Sequence, residues 1–151
     1  MAWRWVSASV IGTSHIQNGD RLQDAYVVSK LGNGCICAVV SDGAGSAKFG
    51  AFGAWLTCRF LSVRFREWAH KNPELPIDED LSDLIDELRN RISAIASRRG
   101  TVPRQFAATL AAIVVAPDEV VTRVRQLNAQ VIDCYEPGFK NVYYNRESCC
   151  G

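Results

Sequence analysis

At 151 residues, with 48% apolar and 9% aromatic side chains, the chain is one domain's worth and can bury a core. Its 17 basic and 16 acidic residues nearly cancel, so no global field argues for nucleic acid or an anionic membrane as partner. No run of about twenty apolar residues exists, and Met1-Ala2-Trp3-Arg4-Trp5 opens no signal-peptide core, so a cytoplasmic protein is expected.

Residues 3–11 alternate loosely and predict a strand closed by Gly12, and the turn formers from Gly12 to Asp20 predict a loop. Ala25 to Ser29 predicts a short strand and Lys30 to Asn33 a turn. Cys35 to Ser41 is a near-continuous apolar run, the pattern of a strand covered on both faces. Together they predict an antiparallel hairpin with Asp24 entering one strand and Asp42 leaving the other. The two carboxylates would then lie side by side.

From Gly50 to about Lys71 the spacing becomes helical, with Phe52, Leu56, Phe60 and Val63 as its apolar stripe. Asn72 to Pro76 breaks it. Seven acids crowd Glu74 to Glu87, against four in the first seventy residues, so the amino-terminal third is mildly basic. They open a second helix, with Asp78 or Asp80 as N-cap and Leu81, Leu84, Ile85, Leu88, Ile92 and Ile95 as its stripe. Arg98, Arg99 and Gly100 end it. Phe106 to Val115 predicts a buried strand. Glu119 to Val131 reads as strand or helix with no sustained period, and Glu136 to Gly151 as a polar, irregular tail. The cysteines at 35, 37, 58, 134, 149 and 150 form no C-x-x-C pair and read as reduced thiols rather than zinc ligands.

The chemistry concentrates in Val39-Val40-Ser41-Asp42-Gly43-Ala44-Gly45-Ser46-Ala47. An apolar strand delivers one carboxylate to its end, and a loop almost without side chains follows. Gly43 and Gly45 would let backbone and ligand approach closely. Paired with Asp24, Asp42 suits a hard divalent cation such as Mg2+ or Mn2+, which prefers carboxylate and carbonyl oxygens. The plain alternative is a turn aspartate or helix cap. A further alternative is a nucleotide cradle, since strand, Gly43-Ala44-Gly45 and helix follow in order with Lys48 nearby. Against it, the pattern Gly-x-x-x-x-Gly-Lys-Ser/Thr is absent.

Gly12-Thr13-Ser14-His15, Gln23-Asp24-Ala25, Ser41-Asp42-Gly43-Ala44-Gly45-Ser46 and Phe106-Ala107-Ala108-Thr109-Leu110 occur in a telling order and spacing. Over roughly residues 3 to 115 the chain resembles the metal-dependent Ser/Thr protein phosphatases (type 2C, PPM-type), in particular a bacterial branch. The resemblance implies an α+β fold, a four-layer αββα sandwich with two Mn2+ or Mg2+ ions at the end of its sheets. It implies that Asp42 bridges both ions, that the Gly43 carbonyl holds one and that Asp24 holds the bridge side. Water activated by the metal would hydrolyse a phosphoserine or phosphothreonine of a phosphoprotein substrate. Thr109 would be structural.

The departures are as specific as the matches. The family's phosphate-holding arginine, five residues before the first aspartate, is Gly19 here, which leaves Arg21 as the candidate phosphate ligand. The histidine that often follows Asp-Gly is Ala44, His15 lies in a turn, and His70 ends a helix. Asp42-Gly43 is the only Asp-Gly dipeptide, and after Leu110 only Asp118 and Asp133 remain. The resemblance thus covers residues 1–116 as the amino-terminal part of a phosphatase domain, with 117–151 as a divergent segment and the sandwich incomplete. Two functions follow from this: a phosphatase, or a non-catalytic remnant of the same fold that binds a metal or a partner. The remnant predicts apolar sheet faces left uncovered and open to self-association.

Overall fold

The computed structural model describes residues 4–19, 22–72, 74–115, 120–126 and 131–132. Its elements are α1 (Thr13–Asn18), β1 (Asp24–Lys30), β2 (Ile36–Asp42), α2 (Gly50–Lys71), α3 (Asp78–Arg98), β3 (Thr109–Val115), β4 (Val120–Gln126) and β5 (Val131–Ile132). The strands form one antiparallel sheet in chain order, β1-β2-β3-β4-β5. Helix α2 lies across β1 and β2, and α3 packs on α2 and on a 3-10 turn at Pro103–Phe106.

The β1–β2 hairpin closes through a 3-10 turn at Gly32–Gly34, where Leu31 N–H donates to the Cys35 carbonyl at 2.8 Å. Side chains alternate about the sheet. Cys37, Val39 and Ser41 point at α2 and are wholly buried, as are Leu110, Ala112 and Val114 of β3. Leu56, Phe60, Leu61 and Phe65 of α2 cover them, and Leu81, Leu84, Ile85, Leu88 and Ile92 of α3 complete the core. The opposite face carries Tyr26, Val28, Ile36, Ala38, Val40, Ala111 and Ile113, which no helix covers. Val40 there is 51% exposed and Tyr26 41%. The apolar run of β2 is therefore packed under a helix on one face only, and not on both as its composition suggests.

Several sequence expectations are corrected. Residues 4–11 form no strand; residues 4–10 are exposed, Val6 fully so, and the segment does not pair with the open edge that β1 presents. The segment from Gly12, expected as a loop, contains α1. Ile16 N–H reaches the Gly12 carbonyl at 3.1 Å, and Gly19, at φ +71°, supplies the left-handed stop. The cap of α3 is neither Asp78 nor Asp80 but Ile77, in extended conformation; Asp80 reaches back to accept the Ile77 N–H at 3.0 Å. Phe106 closes a 3-10 turn, and the strand begins only at Thr109. The ambiguous segment after Glu119 is strand at Val120–Gln126. Residues 133–151, with Cys134, Cys149 and Cys150, lie outside the described residues.

Candidate functional site

The first residue of β1 and the last of β2 are direct partners: Asp24 stands opposite Asp42. Facing residues of an antiparallel pair project to the same side, with Cβ atoms roughly 4.5–5.5 Å apart. Both aspartates are exposed and lie on the face away from α2. The hairpin inferred from turn residues and apolar runs thus brings together two acids eighteen positions apart.

The end of β2 is clamped from both neighbours. Asp42 N–H donates to Thr109 Oγ1 at 3.0 Å, and Ser41 Oγ donates to the Thr109 carbonyl at 2.6 Å. Gly43 N–H donates to the Gln23 carbonyl at 3.1 Å, and Ala44 N–H to the Ala107 carbonyl at 2.9 Å. Thr109 therefore fixes the backbone that carries Asp42. The sequence marked it only as structural, because its role rests on a contact across 67 positions.

The two glycines of the loop have different reasons. A Cβ on Gly43 would stand 2.5 Å from the Gly50 backbone, so Gly43 is required by the start of α2 passing over it. Gly45 meets nothing within 4 Å, so no close approach explains it. The loop's amides are also largely spent inside the fold. Ala47 N–H bonds the Ala44 carbonyl at 2.8 Å, Lys48 N–H the Gln105 side chain at 3.0 Å and Phe49 N–H the Gln105 carbonyl at 2.8 Å. A phosphate cradle needs those donors free. Gln105, which holds two of them, gave no signal in the sequence.

The other candidates separate. Gly19 stands where the family places its arginine, and its φ of +71° is one a side-chain-bearing residue adopts only with strain. Arg21, Asp118 and Asp133 lie outside the described residues. His15 is in α1, and His70 is exposed in the last turn of α2. Ala44, in the histidine position, is half-buried. Among the described residues no three His, Cys, Asp or Glu side chains converge.

The protein phosphatase 2C family model matches residues 11–124, three-quarters of the sequence and into β4. The chain belongs to the protein phosphatase 2C family. It is 30% identical over 125 residues to Serine/threonine-protein phosphatase 3 of Escherichia coli (strain K12), a match covering 78% of this chain and 48% of that protein. The chain thus spans about half the length of the curated relative it matches. Among solved structures, a bacterial serine phosphatase superposes with a TM-score of 0.54 at 18% identity, covering 70% of this chain and 42% of that one. Serine/threonine phosphatase Stp1 from Staphylococcus aureus gives a TM-score of 0.54 at 18% identity, with 70% and 41% covered. The fold is the α+β fold of these phosphatases, and the described sheet with its helix layer corresponds to part of it.

The donor set fits the divalent ions on which this family generally depends. Two carboxylates in register repel one another, and a cation between them turns that repulsion into attraction. Exposed oxygen donors at a strand end suit Mg2+ or Mn2+ better than softer metals. Among the described helices none is long and apolar enough to cross a membrane.

Proposed function

We propose that this chain provides the amino-terminal part of a metal-dependent phosphoserine/phosphothreonine protein phosphatase. Asp24, Asp42 and the Gly43 carbonyl would hold Mn2+ or Mg2+, and Arg21 would meet the substrate phosphate. The observation that carries the reading is the direct pairing of Asp24 with Asp42 at the end of the β1–β2 hairpin. Bound divalent ions would supply charge stabilisation for the phosphoryl group and a water nucleophile near neutral pH. The chain's own residues orient the site: Asp24 and Asp42 from adjacent strand ends, and Thr109 by holding the Asp42 amide.

Saturating Mn2+ tests the site directly. At about a hundred times its dissociation constant, a ligand bound only by the folded state adds roughly 2.7 kcal/mol. For a domain of this size that raises the melting temperature by roughly 5–10 °C. Asp42→Asn should abolish the rise. A wild-type chain that melts at the same temperature with and without Mn2+ removes the metal site from consideration. Phosphate release from a phosphothreonine peptide in Mn2+ then separates an active phosphatase from a metal-binding module without catalysis. The uncovered apolar face opposite α2 favours the module, because such a face suits association with another chain. Light scattering across a concentration series would show it.

A further inference from the structure

Outside the aspartate pair, the most strongly marked surface is a groove between the second half of α3 and the 3-10 turn at Pro103–Phe106. It encloses about 360 Å3. Arg89, Ser93 and Arg104 line it, over a floor of Ile92 and Phe106 that is almost wholly buried. The charge around it is mostly positive, with Asp86 beside Arg89 the exception. From Leu88 to Val115 there are five arginines and no acid, and from Gly43 to Arg66 there is no acid either. Arg99 lies beside the floor, its guanidinium 5.9 Å from the Phe106 ring centre and 4.7 Å from that of Phe52. Arg89 is engaged by Asp86 at 2.9 Å, one turn back. Arg104 is exposed and forms no ion pair among the described residues. The groove also adjoins the Asp42 loop: Ala107, on its lining, accepts the Ala44 N–H at 2.9 Å.

We propose that this groove docks an acidic peptide segment, the flank of a phosphoprotein substrate, with a carboxylate on Arg104. Arginine's planar fork matches a carboxylate in two hydrogen bonds, and Ser93 adds a hydroxyl beside it. A nucleic acid fits the groove less well. Single strands bind proteins by stacking bases on exposed rings. Phe106 is 1% exposed. Phe49 and Phe52 already carry Arg99 against their faces, at 5.4 and 4.7 Å. In naming the flank of a substrate the proposal rests on the phosphatase reading, but binding itself needs neither phosphate nor metal.

The test is therefore run without either. A fluorescein-labelled peptide alternating glutamate and leucine is titrated into the full chain at low ionic strength in EDTA, with anisotropy as readout. Arg104→Glu should weaken binding about tenfold and Arg104→Gln about threefold, the usual range for one interfacial charge pair. Asp86→Asn, which releases Arg89, should tighten it about twofold by the same reasoning. The melting temperature of Arg104→Glu should equal wild type, since the side chain holds nothing in the fold. Equal affinity of wild type and Arg104→Glu overturns the proposal, as does an oligouridylate of matching charge that binds more tightly than the peptide. Loss of the Mn2+ response would leave this result standing, so the two readings fail separately.

Discussion

The two faces of one sheet differ in nearly everything except their strands. Toward α2 the side chains are small and wholly enclosed: Cys37, Val39, Ser41, Ala112. Helix α2 answers with buried Ala54, Thr57 and Cys58, whose thiol reaches the Val39 carbonyl at 3.7 Å. On the other face Val40 and Tyr26 stand open, and the strands end in Asp24 and Asp42. The inner face is where the fold is fixed, and the outer face carries the two paired aspartates. Substitutions should sort by face.

The largest effect belongs to the inner side. A Cβ on Gly53 would fall on the Phe106 carbonyl oxygen, where backbone meets backbone and neither can yield cheaply. Gly53→Ala should cost about 3 kcal/mol or more, the upper end for overpacking, and should shift the urea midpoint accordingly. A variant as stable as wild type would show that the helix and the turn are not in contact in solution.

The inner face should also carry an alkaline signature. Cys58, 3% exposed, donates to the Val39 carbonyl at 3.7 Å. Burial pushes its thiol up from 9.0 to about 11, and Cys37 moves the same way for the same first reason. Between those values the unfolded chain releases the Cys58 proton and the folded chain keeps it, so stability falls as pH rises. The slope is about 1.4 kcal/mol per pH unit from one such thiol, giving a loss of roughly 2–3 kcal/mol by pH 11. Cys58→Ala should flatten that part of the stability–pH curve. An unchanged curve would place the thiol in contact with water.

Val39 and Val40 make the comparison with neighbours in sequence. Val39 is 0% exposed and Val40 51%. Val39→Ala should cost about 2 kcal/mol by lost burial and the cavity left behind, whereas Val40→Ala should stay within about 0.5 kcal/mol. Equal costs would mean that something covers the outer face in solution.

How much of this could be read from the sequence follows the range of the interactions. The hairpin and both long helices were legible, because turn residues at Lys30–Asn33 and the stripe Leu81–Leu84–Ile85–Leu88 act locally. The facing of Asp24 and Asp42 followed from that hairpin alone. Residues 3–11 misled because alternation states what a segment could pair with, not whether it pairs: β1 leaves an edge open and the segment does not take it. α1 was missed because its six residues are too few to show a period. Thr109, Gln105 and the groove beside Arg104 were invisible because each depends on contacts between distant segments. The covered face of β2 was overcounted, since Val and Ala alone do not reveal which side a helix takes.

The smallest effect is the most diagnostic, because its sign reverses with conditions. In EDTA, Asp24 and Asp42 face each other as like charges, an arrangement that costs about 0.2–1 kcal/mol relative to a neutral pair. Asp24→Asn keeps the shape and removes that repulsion, so the metal-free variant should be as stable as wild type or slightly more so. In Mn2+ the order should invert, because the wild type gains a cation between its carboxylates and the variant has only one to offer. A structural aspartate would behave otherwise: its replacement would destabilise the chain equally with and without the ion. Two melting curves for each protein therefore decide whether the strand ends were placed together to bind a cation or merely to finish a hairpin.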